Sequence, residues 1–241
     1  AERGNPKHRW LEPVLNELAN LHRLSIAACW SAYFAGHVGK YLLEEYGRLP
    51  VSVELASEYR YKAHVPDAHA ALLTVSQSGE TADTLAAVRR AQELQQLTLG
   101  IVNVVGSTIA RETDAGVYNH AGPEVAVAST KAFLSQLTVL ILFSVLVGRE
   151  RGMSEQEGRQ IITALRELPA VLQKQLADIT AIESIATQYA SMQNCMFIGR
   201  HAHAPIAAEG ALKLKEVSYV HAEAYAGGEL KHGPIALLDE H

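Results

Sequence analysis

Apolar positions recur along this 241-residue chain with two different periods. Short apolar runs closed by polar residues, at 24–29, 51–55, 71–75, 97–105 and 195–199, read as strands. Between them, apolar positions three and four apart predict helices over 33–46, from Thr81 through Leu94, from 131 to near Gly148, and over 155–175, 179–193 and 205–219. Near the start, Leu11, Val14, Leu15, Leu18 and Leu21 predict an amphipathic helix over 10–21, preceded by an irregular polar arm over 1–9. Residues 58–62 form a short charged stretch. Strands alternating with helices in this way argue for an α/β fold, a parallel sheet covered by helices on both faces. Alternation restarts at Cys195, as if a second copy were beginning, and only one convincing strand follows. Three segments are therefore expected. Residues 1–22 form an arm and helix, 23–150 a first domain, and 154–241 a helical linker with the front part of a second domain. Gly152-Met-Ser-Glu is the joint, and Ser154 with Glu157 three residues on predicts a capping box.

Composition narrows the partners. With 48% apolar and 20% charged residues the chain is an ordinary globular protein. Its net charge of −5 gives no reason to expect nucleic acid or an anionic membrane surface, so an anionic substrate would need a local site. The apolar run 137–147 is too short to span a bilayer and no signal-like segment opens the chain, so a cytoplasmic location is expected. Cys29 and Cys195 sit among apolar residues and read as buried free thiols of a reducing compartment.

The candidate chemistry lies in two stretches. Ser76-Gln77-Ser78-Gly79-Glu80-Thr81 connects a buried strand to a helix. The first N–H groups of a helix are unpaired and carry partial positive charge, and three hydroxyls beside a glycine make such a turn a phosphate cradle. The plainer alternative is that one hydroxyl caps the helix. Further on, Glu209, Lys213 and Glu216 fall on one face of a helix whose neighbours Ala207, Ala208, Ala211, Leu212, Leu214 and Val217 are apolar. The spacing alone fits a solvated ion-paired face, whereas the apolar surroundings fit charges with a task. Aldose–ketose isomerisation needs a base that moves a proton between adjacent carbons and an acid–base group for ring opening, and a carboxylate beside a lysine suits both. His201 and His203 have no carboxylate or cysteine at ligand spacing, so no metal is expected.

Three motifs carry a resemblance. The segment Ser76-Gln-Ser-Gly-Glu-Thr-Ala-Asp-Thr-Leu85, the run Ala121-Gly-Pro-Glu-Val-Ala-Val-Ala-Ser-Thr-Lys-Ala-Phe133 and the stretch from Glu209 through Lys231-His-Gly-Pro234 resemble the sugar isomerase (SIS) domains. Within them they are closest to the isomerase half of the glutamine–fructose-6-phosphate aminotransferases. The resemblance covers the chain from about Leu24 onward. It implies an SIS-type, Rossmann-like three-layer fold, one complete copy plus the front part of a second. It also implies conversion of fructose 6-phosphate and ammonia to glucosamine 6-phosphate without a cofactor. A homodimer is expected, because an incomplete second domain leaves apolar surface that a second copy would cover. A glutaminase domain in a longer chain would release the ammonia from glutamine.

By the same resemblance Glu216 is the proton-transfer base, Lys213 assists at the sugar hydroxyls and ring oxygen, and His232 opens the ring, supplied by the partner subunit. Ser76, Gln77, Ser78 and Thr81 hold the phosphate, and Val127 and Ser129 touch the sugar. The run Cys29-Trp-Ser-Ala-Tyr-Phe-Ala35 departs from the family's usual Cys-Gly-Thr-Ser-Tyr-His-Ala. Trp30 replaces a glycine, Ala32 loses a hydroxyl, and Ser31 keeps one contact. No segment matches the family's C-terminal tail lysine, so the chain is expected to be a fragment or to have an abbreviated second domain. Two alternatives stay open: a non-catalytic sugar-phosphate-binding module, and a related sugar-phosphate isomerase or deaminase.

Overall fold

The computed structural model describes residues 11–238. The arm expected over 1–9 lies outside them, as does the first residue of the expected helix 10–21. Of that helix only a 3-10 turn, Glu12–Val14, and α1 (Leu15–Ala19) are present, because Pro13 sits where the turn starts and cannot donate to a longer ladder.

From there the chain alternates as the pattern predicts. β1 (Arg23–Ala28) leads to α2 (Trp30–Glu45), β2 (Val51–Leu55) and the short α3 (Ala56–Tyr59). β3 (Ala70–Ser76) is buried at every position and leads to α4 (Ala82–Glu93), then β4 (Leu97–Val102), α5 (Thr108–Glu112) and β5 (Ala115–Tyr118). The strands form one parallel sheet in the order β2-β1-β3-β4-β5, with Ile26 beside Leu73 and Leu73 beside Leu99. One face of β1 and β3 is wholly apolar; the other mixes Ala27, Ala70 and Leu72 with Ser25, Thr74 and Ser76, and β3 is buried on both. Leu24, Ile26, Leu73 and Val75 face a core completed by Ala35 and Leu43 of α2, and by Leu140 and Phe143 of α6 (Lys131–Glu150). Ala27 and Leu72 face the other way, onto Tyr59 of α3 and Ala87 and Ala91 of α4.

Several boundaries differ from the sequence pattern. β4 stops at Val102, leaving Val104 and Val105 exposed, and α2 starts three residues before the expected Tyr33. α5 and β5 carry no clear sequence signal; β5 reads Ala-Gly-Val-Tyr, with only two good strand formers. It is held instead by Asp114, whose Oδ2 accepts from Thr98 N at 2.8 Å and Thr98 Oγ1 at 2.7 Å. α6 is longer than the apolar run 137–147 and, by length and composition alone, long enough to cross a bilayer. In this fold 56% of that span is buried, much of it against α2. Both cysteines are free, and both are half-buried rather than buried.

After α6, the expected capping box is in place. Ser154 Oγ accepts from Glu157 N at 3.2 Å and the Glu157 carboxylate accepts from Ser154 N at 2.8 Å, starting α7 (Glu155–Ala177). α8 (Thr180–Gln188), β6 (Asn194–Gly199), α9 (His203–Ser218) and β7 (His221–Ala226) follow. β6 and β7 pair in parallel as a separate two-stranded sheet, bridged by α9, which also packs on α2.

This topology decides where a ligand can sit. From β1 the chain steps to β2 on one side and then to β3 on the other, so the connections leaving β1 and β3 diverge. They leave a crevice at the carboxyl edge, where open α/β sheets bind ligands. Its two walls are the starts of α2 and α4, and α9 lies against the first of them.

Candidate functional site

A cleft of about 250 Å³ occupies that crevice. The connection after β1 contributes Trp30 and Ser31, that after β3 contributes Ser76, Gln77, Ser78 and Thr81, and α9 contributes Lys213 and Glu216. Val127 and Ser129 line it from the loop before α6. Nine of the ten residues singled out by the sequence therefore meet at one place. A wider concavity of about 770 Å³ on the outer face of α7, around Glu155, Arg159 and Thr163, shares no residue with it and joins no second element to that helix.

The turn after β3 is built by its own hydroxyls. Ser76 Oγ accepts from Gly79 N at 3.0 Å and lies 3.3 Å from Thr81 Oγ1, while Ser78 Oγ accepts from Glu80 N at 3.2 Å. Glu80 in turn accepts from Thr108 N at 2.8 Å, and Gly79 O accepts from Ile109 N at 3.0 Å, which ties the turn to α5. Thr81 occupies the N-cap of α4 and makes no side-chain capping bond. The plainer reading of these hydroxyls, helix capping, is thus not what they do at α4. A twelve-residue helix points its start at the cleft without a side-chain cap, the arrangement that favours an anion.

On the opposite wall the expected helix face forms one ionic cluster. Lys213 Nζ donates to Glu216 Oε2 at 2.5 Å and to Ser31 Oγ at 3.2 Å, and lies 3.4 Å from Glu209 Oε1. Ser31 so joins the start of α2 to α9. The spacing places the three charges together, but their burial differs: the Glu209 side chain is 7% exposed, that of Lys213 22% and that of Glu216 29%. Glu216 therefore reaches the cleft, whereas Glu209 sits behind it. Burial pushes the Glu209 carboxyl above its ordinary range, against the opposing pull of Ser31 and the Lys213 ammonium.

That shift has a consequence for stability. A carboxyl whose folded pKa is raised binds more protons folded than unfolded, so stability falls as pH rises from the ordinary carboxylate value through the folded one. Glu209→Gln is expected to unfold at an equal or higher temperature than the parent at pH 8. That advantage should vanish as pH falls toward about 4.3. Thermal melts across this range check it; a clear loss at pH 8 would mean that the ion pair with Lys213 outweighs the cost of burial.

His232 is the exception among the expected residues. It ends an exposed 3-10 turn, Leu230–His232, and does not line the cleft of its own chain. The sequence reading also missed two residues. Gln136 lines the cleft from α6, only 2% exposed, with a buried Oε1 that has no hydrogen-bond partner. A lone glutamine on an otherwise apolar helix face was the available signal. Glu124 accepts from Ala132 N at 2.9 Å and from Thr130 Oγ1 at 3.2 Å, fastening the loop that carries Val127 and Ser129 to the start of α6. Val127 itself is almost fully exposed. Among the described residues no three His, Cys, Asp or Glu side chains converge as a metal site would require. His201 instead packs its ring 4.2 Å from that of Tyr41.

Comparison with known proteins gives a consistent result. The SIS domain family matches residues 17–146 and 188–241. The chain is 46% identical over 239 residues to glutamine–fructose-6-phosphate aminotransferase (isomerizing) of Chlorobaculum tepidum, covering 99% of this chain and 39% of that protein. To the enzyme of the same name from Bordetella pertussis it is 50% identical over 220 residues, covering 90% of this chain and 36% of that protein. It thus spans well under half the length of these curated relatives. The solved C-terminal domain of glucosamine–fructose-6-phosphate aminotransferase from Francisella tularensis superposes with a TM-score of 0.92 at 39% identity. That match covers 95% of this chain and 64% of that one.

Proposed function

This chain belongs to the SIS domain family, and from that premise we propose that it is the isomerase part of a glutamine–fructose-6-phosphate aminotransferase. Fructose 6-phosphate and ammonia would be converted to glucosamine 6-phosphate, the ammonia coming from glutamine in a glutaminase domain of a longer chain. The observation that carries the reading is the convergence of the Ser76–Thr81 turn and the Lys213–Glu216 pair on one cleft between different elements.

The chemistry follows from that placement. The phosphate rests on the hydroxyls of Ser76, Ser78 and Thr81 and on the start of α4, with Gln77 beside them. Ser31, Val127 and Ser129 border the sugar. Ammonia adds at the C2 carbonyl carbon and the carbonyl oxygen leaves as water. The Glu216 carboxylate then takes a proton from C1 of the resulting imine and returns it to C2, while the C1 hydroxyl gives up its proton and the imine nitrogen gains one, which leaves the 2-amino aldose without any redox change. Lys213, already donating to Ser31 and Glu216, supplies a hydrogen bond and positive charge to the sugar oxygens. No cofactor takes part in these steps.

His232 enters as the ring-opening residue of a partner's cleft, which makes the protein a homodimer in this reading. Support for a dimer comes from the apolar stripe that α7 and α8 leave open: Val171, Leu176, Ile182, Ile185 and Tyr189 are all more than half exposed. Light scattering at micromolar concentration should give twice the chain mass; a monomer would remove the partner's histidine from the mechanism. The metabolic substrate and the two free thiols support a cytoplasmic location.

The deciding experiment measures binding of fructose 6-phosphate by calorimetry beside its isomerisation by the purified chain. Binding with turnover supports the enzyme. Binding without turnover supports a sugar-phosphate-binding module, the reading that Trp30 in place of a glycine favours.

A further inference from the structure

Trp30 is at odds with its surroundings in two independent ways. Its φ is 40°, in the left-handed region that a bulky L-residue rarely enters. Of the six described non-glycine residues with positive φ it is the only one that lines the cleft. The residue is also 63% exposed, so the indole adds little to the core. A strained backbone at a large apolar side chain that packs on little else is not explained by folding. Its position is specific, at the junction of β1 and α2, where the cleft opens.

The rest of the cleft lacks what the indole provides. Ser31, Ser76, Ser78, Thr81, Lys213 and Glu216 offer hydrogen bonds and charge to the phosphate and hydroxyls of a ligand. A sugar also has faces of C–H groups, which gain nothing from such partners. These carry slightly positive hydrogens and pack well on the electron-rich face of an aromatic ring.

We propose that Trp30 is a specificity-determining residue of the cleft, an aromatic platform on which the C–H face of a phosphorylated sugar stacks while its phosphate sits at the Ser76–Thr81 turn. This rests on the sugar-phosphate reading of the cleft and adds a wall to it. The platform discriminates between a sugar phosphate and phosphate alone, because only the former reaches from the turn to the indole. It also explains how the site tolerates the loss of a hydroxyl at Ala32: contact area replaces a hydrogen bond.

The chain has two tryptophans, so Trp10→Phe leaves Trp30 as the sole indole fluorophore. Fructose 6-phosphate should change its emission saturably, whereas inorganic phosphate, competing for the same site in calorimetry, should leave it nearly unchanged. Trp30→Gly, measured by calorimetry in the otherwise unaltered chain, should weaken fructose 6-phosphate about three- to tenfold and leave inorganic phosphate affinity as it was. Because glycine relieves the positive φ, that variant should melt no lower than the parent. Equal fructose 6-phosphate affinity in Trp30→Gly, or an unmoved emission while calorimetry shows the sugar phosphate bound, overturns the platform alone. Failure of both fructose 6-phosphate and phosphate to bind overturns it together with the sugar-phosphate reading.

Discussion

Glu216→Gln is expected to lower proton transfer between C1 and C2 of fructose 6-phosphate by about 10²–10⁴-fold while leaving the affinity for the sugar phosphate almost unchanged. Glutamine keeps the shape of the side chain and can still face Lys213, so the cleft stays intact. What it loses is the basic carboxylate that would take up the C1 proton; the amide oxygen still accepts a hydrogen bond but is far too weak a base. In the proposed reading the phosphate is held elsewhere, at the turn between β3 and α4, so binding and chemistry should separate. The Lys213–Glu216 contact is partly exposed, and its loss should therefore cost little stability. Exchange of solvent deuterium into the sugar reports the proton transfer directly, and calorimetry reports the binding. Near-parental exchange in this variant would move the role of base to another group, with Glu209 the next carboxylate along the helix.

The second large effect is expected at Gly79. Its φ is +66°, and a Cβ added there would lie 2.1 Å from Ser107 Oγ and 2.5 Å from Ser107 Cβ. Ser107 is itself buried and holds the N-cap position of α5, so it has little room to move. Gly79→Ala combines a left-handed conformation, about 1–2 kcal/mol, with overpacking, about 1–3 kcal/mol. At roughly 2–4 °C per kcal/mol for a chain of this size, the unfolding midpoint should fall by about 4–20 °C. The turn would also open where the phosphate rests, so phosphate affinity should fall in the same variant. Gly106→Ala is the control, since its φ is +74° but nothing lies within 4 Å of an added Cβ. It should show the conformational cost alone and keep phosphate binding. Equal melting losses in the two variants would mean that the contact with Ser107 is not what fixes the turn.

How much of this was legible in the sequence depends on how local the signal is. β3 was readable because Ala71 to Val75 is apolar but for the β-branched Thr74, and the capping box at Ser154 because its two residues act on each other three positions apart. The Glu209, Lys213 and Glu216 face was readable because helix geometry sets it before any packing occurs. Their separate roles were not, since which carboxylate is buried depends on how α9 lies against α2. β5 was hidden for a similar reason: its short strand is held by Asp114 and by neighbours distant in sequence. Glu124 reaches Thr130 and Ala132 across a loop that no periodicity marks, and Gln136 shows in the sequence only as a polar residue on an apolar helix face. The start of α2 was placed late because a tryptophan with positive φ is a poor sequence signal for a helix beginning.

One measurement tests the central claim, that the crevice between β1 and β3 is a sugar-phosphate site with its base on α9. It is a crystal structure of this chain with saturating fructose 6-phosphate. The expected result is a phosphate within hydrogen-bond distance of Ser76, Ser78 and Thr81, with C1 and C2 of the sugar turned toward Glu216. A sugar phosphate bound elsewhere, with the Ser76–Thr81 turn empty, would contradict it.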